Sequence, residues 1–200
     1  MKKLIGPTMG LVALALGGLL AATATATAHA KTPSTVVPIE NGVTKVSLDG
    51  VDVTVLRAFR ENYNAHSFDV VSFYTGSLVD KKQQLGIVPI FSKDGEEVHE
   101  ITIGGGADCN LTDFRLVKGT GKRPARLVVA KRDMGETYAD DETVRFTVYE
   151  MKRNDDPESD MDPPVSFQEK LRINSKHKYC DVNDAFDKEL HLGTAGGGRR

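Results

Sequence analysis

The chain has 200 residues with 26 basic and 28 acidic side chains, and two of the lysines but none of the acids fall in its first thirty residues, so the remainder carries 24 basic against 28 acidic groups. An acidic balance of this kind argues against nucleic acid, or an anionic membrane surface, as the partner. The roughly 170 residues beyond that leader suit a single domain large enough to bury a real core.

Residues 1–30 begin with Lys2 and Lys3, continue through an apolar stretch from Leu11 to Ala22, and end in Ala28-His29-Ala30. This is the layout of a cleavable secretory signal. The apolar stretch falls short of the roughly 20 residues that a membrane-spanning helix needs. The expected mature protein therefore starts near Lys31, is periplasmic or secreted, and keeps no membrane anchor. Residues 31–42 are read as an N-terminal extension, and 43–192 as one domain.

From Val43 onward, short runs rich in Val, Ile, Phe and Tyr alternate with turn residues, which predicts strands over 43–48, 51–58, 68–74, 85–91, 98–103, 112–118, 126–132 and 143–151. Asp49-Gly50 and Asp94-Gly95 mark two hairpin turns. In the last run Val144, Phe146 and Val148 alternate with Arg145, Thr147 and Tyr149, which predicts a buried face and a wetter one. The fold class expected from this spacing is mainly β, an antiparallel β-sandwich with a short C-terminal α-helix. That helix is capped by Asp181, has Val182, Ala185, Phe186 and Leu190 on one face, and is expected to stop at Gly193. Residues 193–200 are read as a flexible tail.

The two cysteines, Cys109 and Cys180, both lie beyond the leader, and an oxidising compartment favours their joining. Two free thiols or a metal pair are the alternatives, and without clustered histidines the pair makes a poor metal site. A bond would staple the start of the helix to the segment after Gly104-Gly105-Gly106. That glycine run lacks the lysine and hydroxyl of a phosphate-binding loop.

The acidic stretch from Asn154 to Asp162 misses the glycine and the terminal glutamate of a calcium loop and reads as a solvated loop. No histidine has a metal-ligand partner at regular spacing, no serine sits in an elbow motif, and none is read as having a lysine three residues on, as a Ser-x-x-Lys tetrad requires. The expectation is a protein that is not an enzyme, has no catalytic residues and needs no cofactor. Met134 to Asp141, with Gly135, Tyr138 and Asp140, reads as an interaction loop, because a tyrosine after a flexible glycine makes an amphipathic anchor. An ordinary hairpin with a packing tyrosine is the other reading of it. Phe59 to Phe68 is a second polar and aromatic loop to which no spacing argument gives chemistry.

Gly106-Ala107-Asp108-Cys109, Asp113-Phe114-Arg115, Tyr138-Ala139-Asp140 with Val144-Arg145-Phe146, and Tyr179-Cys180-Asp181-Val182-Asn183 together resemble the carbapenem intrinsic-resistance proteins of the CarG type, over roughly residues 45 to 190. The resemblance implies an exported β-sandwich, typically a homodimer, that protects against a β-lactam without hydrolysing it, by binding the drug or shielding a cell-wall protein. It also implies a cation site, with no residue of this sequence matched to it, so the metal stays unassigned. That fold is similar in turn to the bacterial inhibitors of invertebrate-type lysozyme, which insert a serine-glycine and tyrosine loop into their target. Gly135 and Tyr138 match that loop, whereas Met134 stands where the serine is wanted.

Overall fold

The computed structural model describes residues 36–64, 66–79, 82–104, 108–156 and 162–193. The proposed leader, the first part of the extension, Gly105 and Gly106, the middle of the acidic loop and the tail after Gly193 lie outside them. Among the described residues twelve strands follow one another: β1 Val36–Val37, β2 Gly42–Leu48, β3 Val51–Arg60, β4 Phe68–Val79, β5 Lys82–Ile87, β6 Ile90–Phe91, β7 Glu97–Val98, β8 Glu100–Gly104, β9 Thr112–Val117, β10 Arg126–Arg132, β11 Glu142–Arg153 and β12 Val165–Tyr179. Helix α1, Val182–Leu190, closes the described chain.

All twelve strands belong to one hydrogen-bonded sheet in the order β2-β3-β4-β8-β9-β10-β11-β12-β6-β7, with β1 on β9 and β5 on β4. The pairs are antiparallel except β12 with β6, which is parallel through Phe167↔Ile90 and Gln168↔Phe91. The expected antiparallel sandwich is corrected accordingly: the sheet is mixed and continuous. Continuity comes from the Gly104↔Thr112 pair of β8 with β9, and the mixed character from the stretch read as one strand over 85–91. It breaks at Val88-Pro89, where the chain leaves the edge of β4 and crosses to lie beside β12 in the same direction.

The sheet also bends over on itself. Phe73 on β4 and Phe167 on β12 are separated by four intervening strands, about 24 Å in a flat sheet, yet their rings lie 5.3 Å apart. The fold encloses a first core of Val53, Val55, Val71, Phe73, Leu116, Leu127 and Phe167, all essentially without exposed surface. Val37 and Ile39 belong to this core, so part of the presumed extension is built into the domain, with β1 paired to β9. Alternation along β10 then sends Leu127 and Val129 to the first core and Val128 and Ala130 to the other face. On that face Val144, Phe146 and Val148 of β11 meet Val182, Ala185 and Phe186 of α1 in a second core. Both faces of the central strands are thereby dry, which is why β9 reads as a nearly unbroken buried run.

Asp49 and Gly50 take positive φ values of 50° and 81°, the conformation of the two-residue hairpin predicted there. Asp49 does more than turn the chain: its Oδ2 accepts the Ala125 N–H at 2.6 Å, tying the β2–β3 hairpin to the start of β10. Gly119 is required beside it, because a Cβ at that position would stand 2.0 Å from Asp49 Oδ1.

The helix begins as expected. Asp181 is extended, and its Oδ1 accepts the Asn183 N–H at 2.8 Å. It ends earlier than the glycine rule suggests. His191, not Gly193, adopts the left-handed conformation, at φ 53°, and the N–H groups of His191 and Leu192 close onto the Asp187 and Phe186 carbonyls.

The last turn of α1 is also clasped to β12. Glu189 Oε1 accepts the N–H groups of Lys176 and His177 at 3.0 and 3.2 Å and the Tyr179 hydroxyl at 3.0 Å, where β12 bulges away from β11. Burial works to raise the Glu189 carboxyl, but the bonds from Tyr179, His177 and Lys176 outweigh it and hold the group below its ordinary range. A carboxylate with a depressed folded pKa stabilises above its unfolded value, near 4.3, and that contribution is lost as pH falls through the lower folded value. Glu189→Gln should therefore melt earlier than the parent at pH 7, and the gap should narrow below about pH 4. Thermal melts of the two proteins across pH 3 to 7 check this, and a gap that widened in acid would refute it.

Candidate interaction surface

Strands β3, β4, β8, β9, β10 and β11 bring three connecting segments to one end of the sheet: 61–67, the part of 105–111 that is described, and 133–141. The start of α1 joins them through Cys180.

The 133–141 loop is stitched from within. Asp140 accepts the Thr137 N–H and the Thr137 hydroxyl, both at 2.7 Å, and these bonds hold its carboxyl below the usual range. Gly135 presses against Asp140: a Cβ there would come within 2.6 Å of Oδ2. Glycine is needed at 135 for this approach rather than for flexibility, because its backbone is not in the left-handed region. The stitched loop leaves Met134 at 61% and Tyr138 at 44% of full exposure.

The 61–67 loop is built in the same way. Glu61 Oε1 accepts the Ser67 hydroxyl at 2.6 Å and the Tyr63 N–H at 2.8 Å, while Asn62 donates its N–H to Ser67 Oγ and its side-chain amide to the His66 carbonyl. The first two of these hold the Glu61 carboxyl below its ordinary range, the Ser67 bond most of all. They also fix Tyr63 at φ 58°, a left-handed backbone that a bulky residue rarely takes, with its ring 91% exposed. The two loops meet where the rings of His66 and Tyr138 stand 4.8 Å apart. The result is a surface of ordered turns presenting Tyr63, Met134 and Tyr138, whose ordering entropy is already spent in the free protein.

Behind the loops, Arg132 is 2% exposed and donates from Nη1 to two carbonyls, those of Asp140 and, at 3.3 Å, Cys180. Its Nε and Nη2 have no hydrogen-bond partner. Cys109 and Cys180 are bonded to each other with Cα atoms 5.6 Å apart. They lie in the wall of an open cavity of about 300 Å³ that Asp108, Asp141, Asp181, Asp184, Lys178, Lys188 and Tyr179 also line. No group of three or more His, Cys, Asp or Glu side chains among the described residues is placed to hold a metal ion.

Further along, Arg115 is buried on β9 and clamps the far end of the helix. Its Nε donates to the Leu192 and Gly193 carbonyls at 3.1 and 3.3 Å, Nη2 to Asn183 Oδ1 at 2.6 Å and Nη1 to Asp113 Oδ2 at 3.1 Å, and its guanidinium lies 4.4 Å over the Phe186 ring.

The candidate residues Gly135, Tyr138 and Asp140 thus fall in one self-bonded loop beside the Cys109–Cys180 bond. The Phe59 to Phe68 stretch, read from the sequence as a polar and aromatic loop without chemistry, proves to be the partner of 133–141, whereas Arg115, Arg132 and Glu189 carried no reading of their own. A charged residue between apolar neighbours, as in Phe114-Arg115-Leu116, was the available signal for Arg115. One tetrad needs correcting. Ser175-Lys176-His177-Lys178 does have the Ser-x-x-Lys spacing, but it lies on a strand, where residues three apart do not share a face as they do on a helix. Ser175 Oγ is held by the Val144 N–H and the His177 carbonyl, and Lys178 pairs with Glu142 at 2.9 Å. Serine and lysine are not brought together.

The segments that carried the sequence resemblance converge in space. Asp181 holds Asn183, Asn183 holds Arg115, and Arg115 holds Asp113, while Cys180 reaches Asp140 through Arg132. The described parts of these segments form the lock between helix and sheet. No protein-family model matches the chain, and no curated protein does. Among solved structures, the crystal structure of CarG superposes with a TM-score of 0.57 and 21% identity, covering 80% of this chain and 99% of CarG. At that identity the likeness establishes a CarG-like fold.

Proposed function

We propose that the chain is a non-enzymatic protein of the periplasm, associated with carbapenem resistance, that protects against a β-lactam without hydrolysing it. The CarG-like fold carries this reading. The disulfide supports an oxidising compartment outside the cytoplasm, and among the described residues no helix is long and apolar enough to cross a membrane. The protein acts through its ordered loop end, with the drug or a cell-wall protein as partner, and as a monomer or a homodimer. Incubated with a carbapenem at stoichiometric concentration, the purified protein should leave the ring absorbance unchanged over hours, while cells lacking it become more susceptible. Steady loss of absorbance would show an enzyme, and unchanged susceptibility would remove the resistance role.

A second reading, inhibition of a lysozyme, is favoured by one observation: Met134 and Tyr138 project from a stitched loop beside Tyr63. A lysozyme activity assay with and without the protein separates the two readings.

A further inference from the structure

The disulfide and the loop surface are linked by one shared guanidinium. The Cys180 carbonyl and the Asp140 carbonyl both accept from Arg132 Nη1, and the Asp140 carboxylate in turn fixes Thr137, the residue before Tyr138. Since Nε and Nη2 of Arg132 have no hydrogen-bond partner, its polar anchorage rests on those two carbonyls. Anything that moves Cys180 therefore moves the post to which the loop is tied.

The bond is also placed to be broken. Cys109 and Cys180 are each half-buried and line the open cavity of about 300 Å³, whose wall carries Lys178 and Lys188 beside Asp108, Asp141, Asp181 and Asp184, so it is access rather than charge that opens the bond to a thiol. Breaking it leaves the helix held elsewhere. Phe186 stays in the second core, Arg115 grips the Leu192 and Gly193 carbonyls, and Glu189 grips β12.

We propose that the Cys109–Cys180 disulfide is a redox switch for the 133–141 loop: oxidised, it holds the loop in its stitched form, and reduced, it releases the loop while the sheet and the helix remain folded. This rests on reading that loop as the recognition surface. The reductant is a dithiol. Its thiolate attacks one protein sulfur, the second protein sulfur leaves as a thiolate and takes up a proton, and the reductant's other thiol resolves the mixed disulfide. Two electrons and two protons pass from the dithiol to the cystine.

Hydrogen exchange on the intact protein, oxidised and then reduced by millimolar dithiothreitol without denaturant, tests the switch. Reduction should raise exchange at the Thr137 and Asp140 amides by about tenfold or more, with β3 and β4 unchanged. Any of three results overturns the proposal: a bond that resists the dithiol until denaturant is added, a rise confined to 108–111 and 180–184, or a uniform rise across the strands. Arg132→Met keeps an apolar stem of similar length but removes the donor to both carbonyls. Its loop should exchange fast even when oxidised, and reduction should add nothing. A variant loop as slow as the parent's and still responsive to reduction would show that Arg132 is not the link. Because no partner is needed in these measurements, they stand whether or not the carbapenem and lysozyme assays succeed.

Discussion

Arg115→Ala is expected to lower the unfolding free energy by about 3 to 5 kcal/mol, the cost of removing one member of a buried, hydrogen-bonded ionic group. The substitution strips the Leu192 and Gly193 carbonyls and Asn183 Oδ1 of their donor, leaves the largely buried Asp113 carboxylate without its cation, and takes the guanidinium off the Phe186 ring. Each orphaned buried polar group costs about 1 to 3 kcal/mol, although the helix can move and let in water to recover part of it. Arg115→Lys should fall between the parent and the alanine variant, since a single ammonium keeps the charge but cannot fork to Asn183 and Asp113 together. Urea unfolding of the three proteins measures the effect. A loss below about 1 kcal/mol in Arg115→Ala would mean that the clamp contributes little and that apolar packing alone docks the helix.

Cys109→Ser should cost about 2 to 4 kcal/mol, the usual effect of opening a loop of this length, while leaving the helix docked. The bond spans 71 positions of sequence. Its removal also leaves local ties in place, because the Val182 N–H donates to the Asn110 carbonyl at 3.0 Å and the Asn110 N–H to Asp181 Oδ2 at 3.4 Å. Those two bonds and the Arg115 clamp mean that the helix should not peel from end to end. Exchange should rise in 108–111, across the first turn of α1 and at the Thr137 and Asp140 amides of the 133–141 loop, whereas the Phe186 to Leu192 amides stay protected. Loss of protection along the whole helix would show that the disulfide, not Arg115 and the second core, is the principal hold.

Features that depend on neighbours in the chain are legible in it. Alternation along 126–132 and 143–151, the Asp49-Gly50 turn and the Asp181 cap are local, so the strands, the hairpin and the helix start stand where they are read. The same holds for the 133–141 loop, whose stitching runs between residues three to five apart. Strand β12 escaped because its pattern is not a clean alternation. Leu171 and Ile173 sit on a half-exposed second half among Lys170, Arg172 and Lys176, with bulges at both ends of that stretch.

Features that depend on contacts between distant residues follow from the fold alone. Pairing β6 parallel to β12 makes the sheet mixed, and the Gly104↔Thr112 pair of β8 with β9 joins its two halves into one; no local signal in Ile90-Phe91 or at Gly104 specifies which strand it will meet. A helix stop at His191 rather than Gly193 depends on Arg115 capturing the carbonyls just beyond it. The surface made by Tyr63, His66 and Tyr138 joins side chains about 70 positions apart, and Arg132 and Glu189 gain their roles only from the carbonyls and amides that the fold carries to them. Local propensity specifies elements, but a buried charge is given its meaning by partners that the chain brings together last.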